Sequence, residues 1–143
     1  MSTTGQLGTL ESFENSGVYV VGLVDDDPSV RRSVSRLLES DGFNVLAFGE
    51  PSRFLQYLSD HFVEVVVLDL WMDHMTGIEL LTQLSAKSPY TRVIFITGHD
   101  DAAARANIMQ SGAFDFFLKP FDDGQFLAAV RRAFLDLRKK KTA

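Results

Sequence analysis

The chain has 143 residues, 45% of them hydrophobic, with no cysteine and a formal charge of −5. That length suits one domain with a real core, and the missing cysteines exclude a disulfide framework, a zinc–thiolate site and a thiol nucleophile. The acidic balance argues against nucleic-acid binding by the domain itself, which needs clustered Lys and Arg. No apolar run is long enough for a bilayer, and a cytoplasmic location is expected.

Residues 1–17 are rich in Ser, Thr and Gly, with no basic start and no apolar stretch, so they read as a flexible tail or linker rather than a signal peptide. An apolar run at 18–24 then ends at Asp25-Asp26-Asp27. Pro28-Ser29 opens a helical pattern with Val30, Val34, Leu37 and Leu38 on one face and Arg31, Arg32, Ser35 and Arg36 on the solvated one; Asp41-Gly42 ends it. Residues 44–48 make a second strand, and Pro51-Ser52 begins a helix carrying Phe54, Leu55 and Leu58. The third strand, 64–69, ends on Asp69. A loop through Gly77 leads to a helix with Ile78, Leu80, Leu81 and Leu84, stopped by Ser88-Pro89. Strand four, 92–97, ends on Thr97, and an Ala-rich helix follows at 101–110, closed by Gly112. Strand five, 114–118, ends at Lys119-Pro120. Asp122-Asp123 starts a last helix with Phe126, Leu127, Val130, Phe134 and Leu137 on one face. The domain is expected to span 18–138, with a basic tail at 139–143. Short apolar runs alternating with helical patterns predict a doubly wound α/β fold with a buried five-stranded parallel sheet.

In such a sheet the ligand site lies beyond the carboxyl ends of the strands. That edge would collect carboxylates, a hydroxyl and an ammonium, a set suited to a divalent cation and a phosphoryl group. Clustered carboxylates repel unless a cation intervenes. Mg²⁺ takes one or two of them, plus water and phosphate oxygens, so Asp26 and Asp69 are candidate ligands, with Asp25 acting through water. An Asp can also be the nucleophile in phosphoryl transfer. Lys119 and Thr97 would then meet the phosphoryl oxygens, joined by backbone N–H groups of residues 70–72 and Gly98. Each residue alone has a plainer reading: an Asp after a strand is often a cap, and Asp27 before Pro28 is read that way. The conjunction at successive strand ends is what points to a site.

These residues resemble the receiver domain of two-component response regulators, over about 18–137. The matching pieces are Val24-Asp25-Asp26-Asp27, Val67-Leu68-Asp69-Leu70, Met72 with Met75-Thr76-Gly77, Ile96-Thr97-Gly98-His99 and Lys119-Pro120-Phe121, and their spacing resembles the FixJ-type branch. The resemblance implies a flavodoxin-like (βα)5 fold with strand order 2-1-3-4-5. It implies Asp69 as phosphoacceptor, Asp25 and Asp26 as an acidic Mg²⁺ pocket completed by the Trp71 carbonyl, Lys119 as the motif lysine, Thr97 as switch hydroxyl and Phe116 as the switch aromatic that turns inward. It further implies a sensor histidine kinase as partner, docking near the first helix, and an output face made of the 101–110 helix, strand five and the last helix, through which receivers often dimerise. Control of transcription is the expected output. The chain is expected to be the receiver of a FixJ-like transcription factor, the alternatives being a single-domain regulator or the receiver of a hybrid kinase.

The family loop usually reads Met-Pro where this chain has Met72-Asp73. Losing the proline restores a backbone N–H and adds a carboxylate that is expected to face solvent. Trp71, two residues after Asp69, is expected to shield an acyl phosphate from water. His74 and His99 sit on loops at the same edge, so a transition-metal site with Asp69 is a further reading. Two other classes stay open: a pseudo-receiver that is never phosphorylated, and a Mg²⁺-dependent phosphohydrolase. The latter needs a second Asp where this chain has Trp71, which cannot shuttle protons.

Overall fold

A computed structural model describes residues 18–142, so the expected tail at 1–17 lies outside the described residues. In chain order the elements are β1 (Val20–Val24), α1 (Pro28–Ser40), β2 (Asn44–Phe48), α2 (Pro51–Tyr57), β3 (Val65–Asp69), α3 (Gly77–Lys87), β4 (Arg92–Thr97), α4 (Ala102–Gln110), β5 (Asp115–Leu118) and α5 (Asp123–Thr142). The strands form one parallel sheet in the order β2-β1-β3-β4-β5.

Local chemistry sets the helix ends. Asp27 caps α1, its Oδ1 accepting the Ser29 N–H at 2.9 Å, with Pro28 in the first turn where no N–H is needed. Asp101 proves to be the cap of α4 rather than its first residue, accepting from the Ala104 N–H at 3.0 Å. Thr76 and Glu79 form a reciprocal capping box on α3. Gly42 and Gly112 follow α1 and α4 with φ of 91° and 106°, a conformation in which a Cβ would be strained. Residues 139–142 continue α5 instead of leaving it. No Gly or Pro interrupts them.

Strand side chains alternate between two apolar layers. Val66, Leu68 and Phe95 face Phe54, Leu80, Leu84 and Ile108 of α2, α3 and α4. Val65, Val67, Ile94 and Ile96 face Val34 and Leu38 of α1 and Phe126, Val130 and Phe134 of α5. The central strands β1, β3 and β4 are therefore apolar on both faces. The outer strands depart from the expectation of full burial. β2 is mostly half-exposed and Leu118 of β5 is exposed, because each pairs on one side only. The Arg face of α1 also needs correction. Arg32 and Arg36 are exposed, but Arg31 is half-buried, and its guanidinium donates to the Asp25 carbonyl at 2.7 Å.

Candidate functional site

Strand register assembles the site. Val24 pairs with Leu68, so Asp25 and Asp69 leave neighbouring strands side by side. Thr97 pairs with Leu118, so Lys119 follows at the same edge, and the Lys119 N–H donates to the Thr97 carbonyl at 2.7 Å. Asp25, Asp26 and Asp69 each offer an oxygen within 4.8 Å of the others, and this is the metal-competent group among the described residues. No histidine joins it. His74 is exposed, and the His99 ring lies edge-on to Trp71 with centroids 6.3 Å apart. That geometry gives the transition-metal reading no ligand set.

Asp25 is fully buried. Its Oδ1 accepts the Asp27 N–H at 2.9 Å, whereas Oδ2 is buried with no hydrogen-bond partner. Lys119 Nζ lies 3.8 Å from that oxygen, a Coulombic neighbour beyond hydrogen-bond reach. Burial raises the Asp25 carboxyl above its ordinary pKa, opposed by the Asp27 N–H and the Lys119 charge. Asp69 is half-buried and pushed up to about 6, first by burial and then by the charge of Asp25, with Lys119 and the Trp71 N–H acting the other way. A buried orphan oxygen and two carboxyls that resist ionisation are what an acidic pocket shows when its charge calls for a cation. The donor set, all hard oxygen, fits Mg²⁺.

Asp26 is half-buried, and its Oδ2 accepts the Asp73 N–H at 3.0 Å. The Asp73 side chain itself is exposed, as expected from the sequence. Thr97 is fully buried, with Oγ1 accepting the His99 N–H at 3.1 Å. The backbone donors expected at 70–72 are partly committed. The Leu70 N–H bonds the Ile96 carbonyl at 3.1 Å, extending the sheet, and the Trp71 N–H leans on Asp69 Oδ1 at 3.3 Å. Trp71 is 40% exposed and, with His99, Asp100, Asp101 and Ala102, borders an open cleft of about 620 Å³. Phe116 lies away from that edge, already packed inward in the α2–α4 layer, with the Arg105 guanidinium 4.9 Å above its ring.

Several contributors had no site role assigned from the sequence. Arg31 braces the Asp25 backbone, and Arg105 covers Phe116. Gly77 sits so close to β3 that a Cβ there would meet the Leu70 Cα at 2.9 Å and the Asp69 carbonyl oxygen at 3.1 Å. Of these, Gly77 alone left a sequence signal, as a glycine just before a strong helical pattern.

A family model for the response regulator receiver domain matches residues 21–131. Nodulation protein W of Bradyrhizobium diazoefficiens is 37% identical over 139 residues, 97% of this chain and 60% of that protein. Transcriptional regulatory protein FixJ of Azorhizobium caulinodans is 40% identical over 111 residues, 78% of this chain and 53% of that protein. The chain thus spans between half and two-thirds of the length of these two relatives. The crystal structure of FixJ-N superposes with a TM-score of 0.75 at 38% identity, covering 80% of this chain and 92% of that one. A CheY-like receiver from Methanospirillum hungatei shares the fold, with a TM-score of 0.80 at 22% identity, covering 86% and 98%. A family match over that span, with relatives at these identities, makes this chain a member of the response regulator receiver domain family, a signalling module of two-component systems.

Proposed function

We propose that Asp69 accepts a phosphoryl group from a phosphohistidine on a sensor histidine kinase. Asp25, Asp26, Asp69 and the Trp71 carbonyl would hold Mg²⁺ for this step. The observation that carries the reading is the buried, unpartnered Asp25 Oδ2 beside Asp69 and Lys119. An ionised Asp69 oxygen attacks phosphorus, the P–N bond breaks with its electron pair returning to the imidazole, and an aspartyl phosphate forms. Bound Mg²⁺ supplies positive charge against the three carboxylates and the phosphoryl oxygens. Lys119 donates to a phosphoryl oxygen, a charge-assisted bond for which it is already poised. Trp71 borders the approach and restricts water.

Thr97 turns its hydroxyl toward the phosphoryl group, and Phe116 reports the change on the output face. Phe116 packs inward in the α2–α4 layer, and phosphorylation biases that packing. The output face is α4–β5–α5, where Met109 and Leu118 are exposed. The NtrC4 receiver was solved as a beryllofluoride-activated dimer and is 30% identical with a TM-score of 0.78, covering 82% of this chain and 98% of that one, which supports a phosphorylation-driven homodimer here. Relatives described as transcriptional regulators support a transcriptional effector. We place the module in the cytoplasm, as a signalling domain whose own chemistry is limited to gaining and slowly losing the phosphoryl group. It is proposed to bind neither nucleic acid nor membrane directly, and no described helix is long and apolar enough to cross a membrane.

Intact mass after incubation with acetyl phosphate tests the reading. A single phosphoryl adduct should form in the native chain, require Mg²⁺, and be absent from Asp69→Asn. A folded native chain that gains no adduct from either acetyl phosphate or a phosphorylated kinase would be a pseudo-receiver.

A further inference from the structure

The Asp26 carboxylate stands in the metal-competent cluster but is only half-buried, so little packing holds it there. The contact that fixes it comes from 47 residues away, where the Asp73 N–H donates to Asp26 Oδ2 at 3.0 Å. The Asp73 side chain points to solvent, so the backbone does the holding. An ionised carboxylate has about four lone-pair sites, so this bond leaves Asp26 able to ligate a cation while limiting its rotation. Asp25, Asp26 and Asp69 offer oxygens within 4.8 Å of one another while the bond is made. The held position is therefore the ligating one.

We propose that Asp73 is a positioning residue for the divalent cation. Its backbone N–H clamps the Asp26 carboxylate in the ligating orientation, against repulsion from Asp25 and Asp69, before the cation arrives. The inference rests on the reading of the cluster as a Mg²⁺ site. Any residue but proline supplies the donor, since proline alone lacks the N–H. The clamp couples the β3–α3 loop to the β1–α1 loop, so loop order and cation affinity rise together. Outer partners that orient a metal ligand are typically worth 10–100-fold in affinity. A single partly exposed bond belongs at the lower end of that range.

The test is Mg²⁺ affinity, read by calorimetry and by the fluorescence of Trp71, the single tryptophan. Three variants separate donor from side chain: Asp73→Ala keeps the N–H and removes the carboxylate, Asp73→Pro removes the N–H, and an amide-to-ester replacement at residue 73 removes the N–H with the side chain intact. Native protein and Asp73→Ala should bind within about twofold of each other, while the proline and ester forms weaken by about tenfold. If Asp73→Pro disturbs the loop fold, the ester and alanine forms decide. Native-like affinity in the ester form overturns the clamp, and so does a loss in Asp73→Ala equal to that in the ester. Absence of Mg²⁺ binding by the native chain overturns the site reading itself, and with it the clamp.

Discussion

Replacing Asp69 with Asn should stabilise the metal-free protein at neutral pH, although it removes the proposed acceptor. The Asp69 carboxyl is raised from its ordinary 3.8 to about 6, chiefly by burial and by the neighbouring Asp25. Between those values the folded state holds a proton that the unfolded state has released, so unfolding free energy falls as pH rises. The advantage of the protonated folded form is complete below 3.8 and lost once pH passes about 6. A rise of that size corresponds to at most about 3 kcal/mol. Asp69 is partly open to solvent, which screens the charge and lowers the expectation to about 1–2 kcal/mol. In a domain of this size that is about 4–8 °C in Tm. The assay is urea and thermal unfolding of native and Asp69→Asn protein in chelator, from pH 4 to pH 8. The stability gap should be largest above pH 7, close toward pH 4, and shrink at pH 8 when Mg²⁺ relieves the native repulsion. An Asn variant no more stable than native at pH 8 without metal, or a gap independent of pH, would refute the account of Asp69 as a carboxylate held at electrostatic cost.

Three further outcomes follow from the contacts. A Cβ at Gly77 would lie 2.6 Å from Phe95 Cε1 as well as against the β3 backbone. Gly77→Ala should therefore cost about 1–3 kcal/mol in urea unfolding and slow phosphorylation of Asp69 by displacing it. Arg138 pairs with buried Glu64 through two hydrogen bonds of 2.9 and 2.7 Å. Arg138→Met strands that carboxylate and should lower the unfolding free energy by about 3 kcal/mol, while Arg138→Met with Glu64→Leu should recover much of it. Trp71→Ala should speed loss of the acyl phosphate about three- to tenfold, a barrier change of about 1 kcal/mol; an unchanged half-life in phosphate-release assays would remove the shielding role.

The layered fold was legible because its signals are local. Val65-Val66-Val67-Leu68 and Val93-Ile94-Phe95-Ile96 are apolar at every position, as strands buried on both faces must be. Pro28, Asp41-Gly42, Ser88 and Gly112 punctuate the helices close to where the structure ends them. The Asp101 cap and the edge exposure of Leu118 were harder to see, because a cap resembles a first turn and an edge strand resembles a central one until its neighbours are known. Arg31 looked like a solvated residue for the same reason. Its partner, the Asp25 carbonyl, is a backbone atom with no signature of its own.

The alternation of strands and helices, and the position of Asp25, Asp26, Asp69, Thr97 and Lys119 at strand ends, are written in the chain itself. Both follow from periodicity and parallel winding, which short stretches of chain encode. Other features emerge only once the chain is folded: one oxygen of Asp25 is left without a hydrogen-bond partner, Asp73 reaches Asp26 across 47 residues, Arg138 reaches Glu64 across 74, and Phe116 packs inward under Arg105. Those outcomes depend on sheet register and helix docking, which set the distances between groups remote in the chain. Hydrogen bonds and close contacts respond to differences of less than an ångström that no local pattern records.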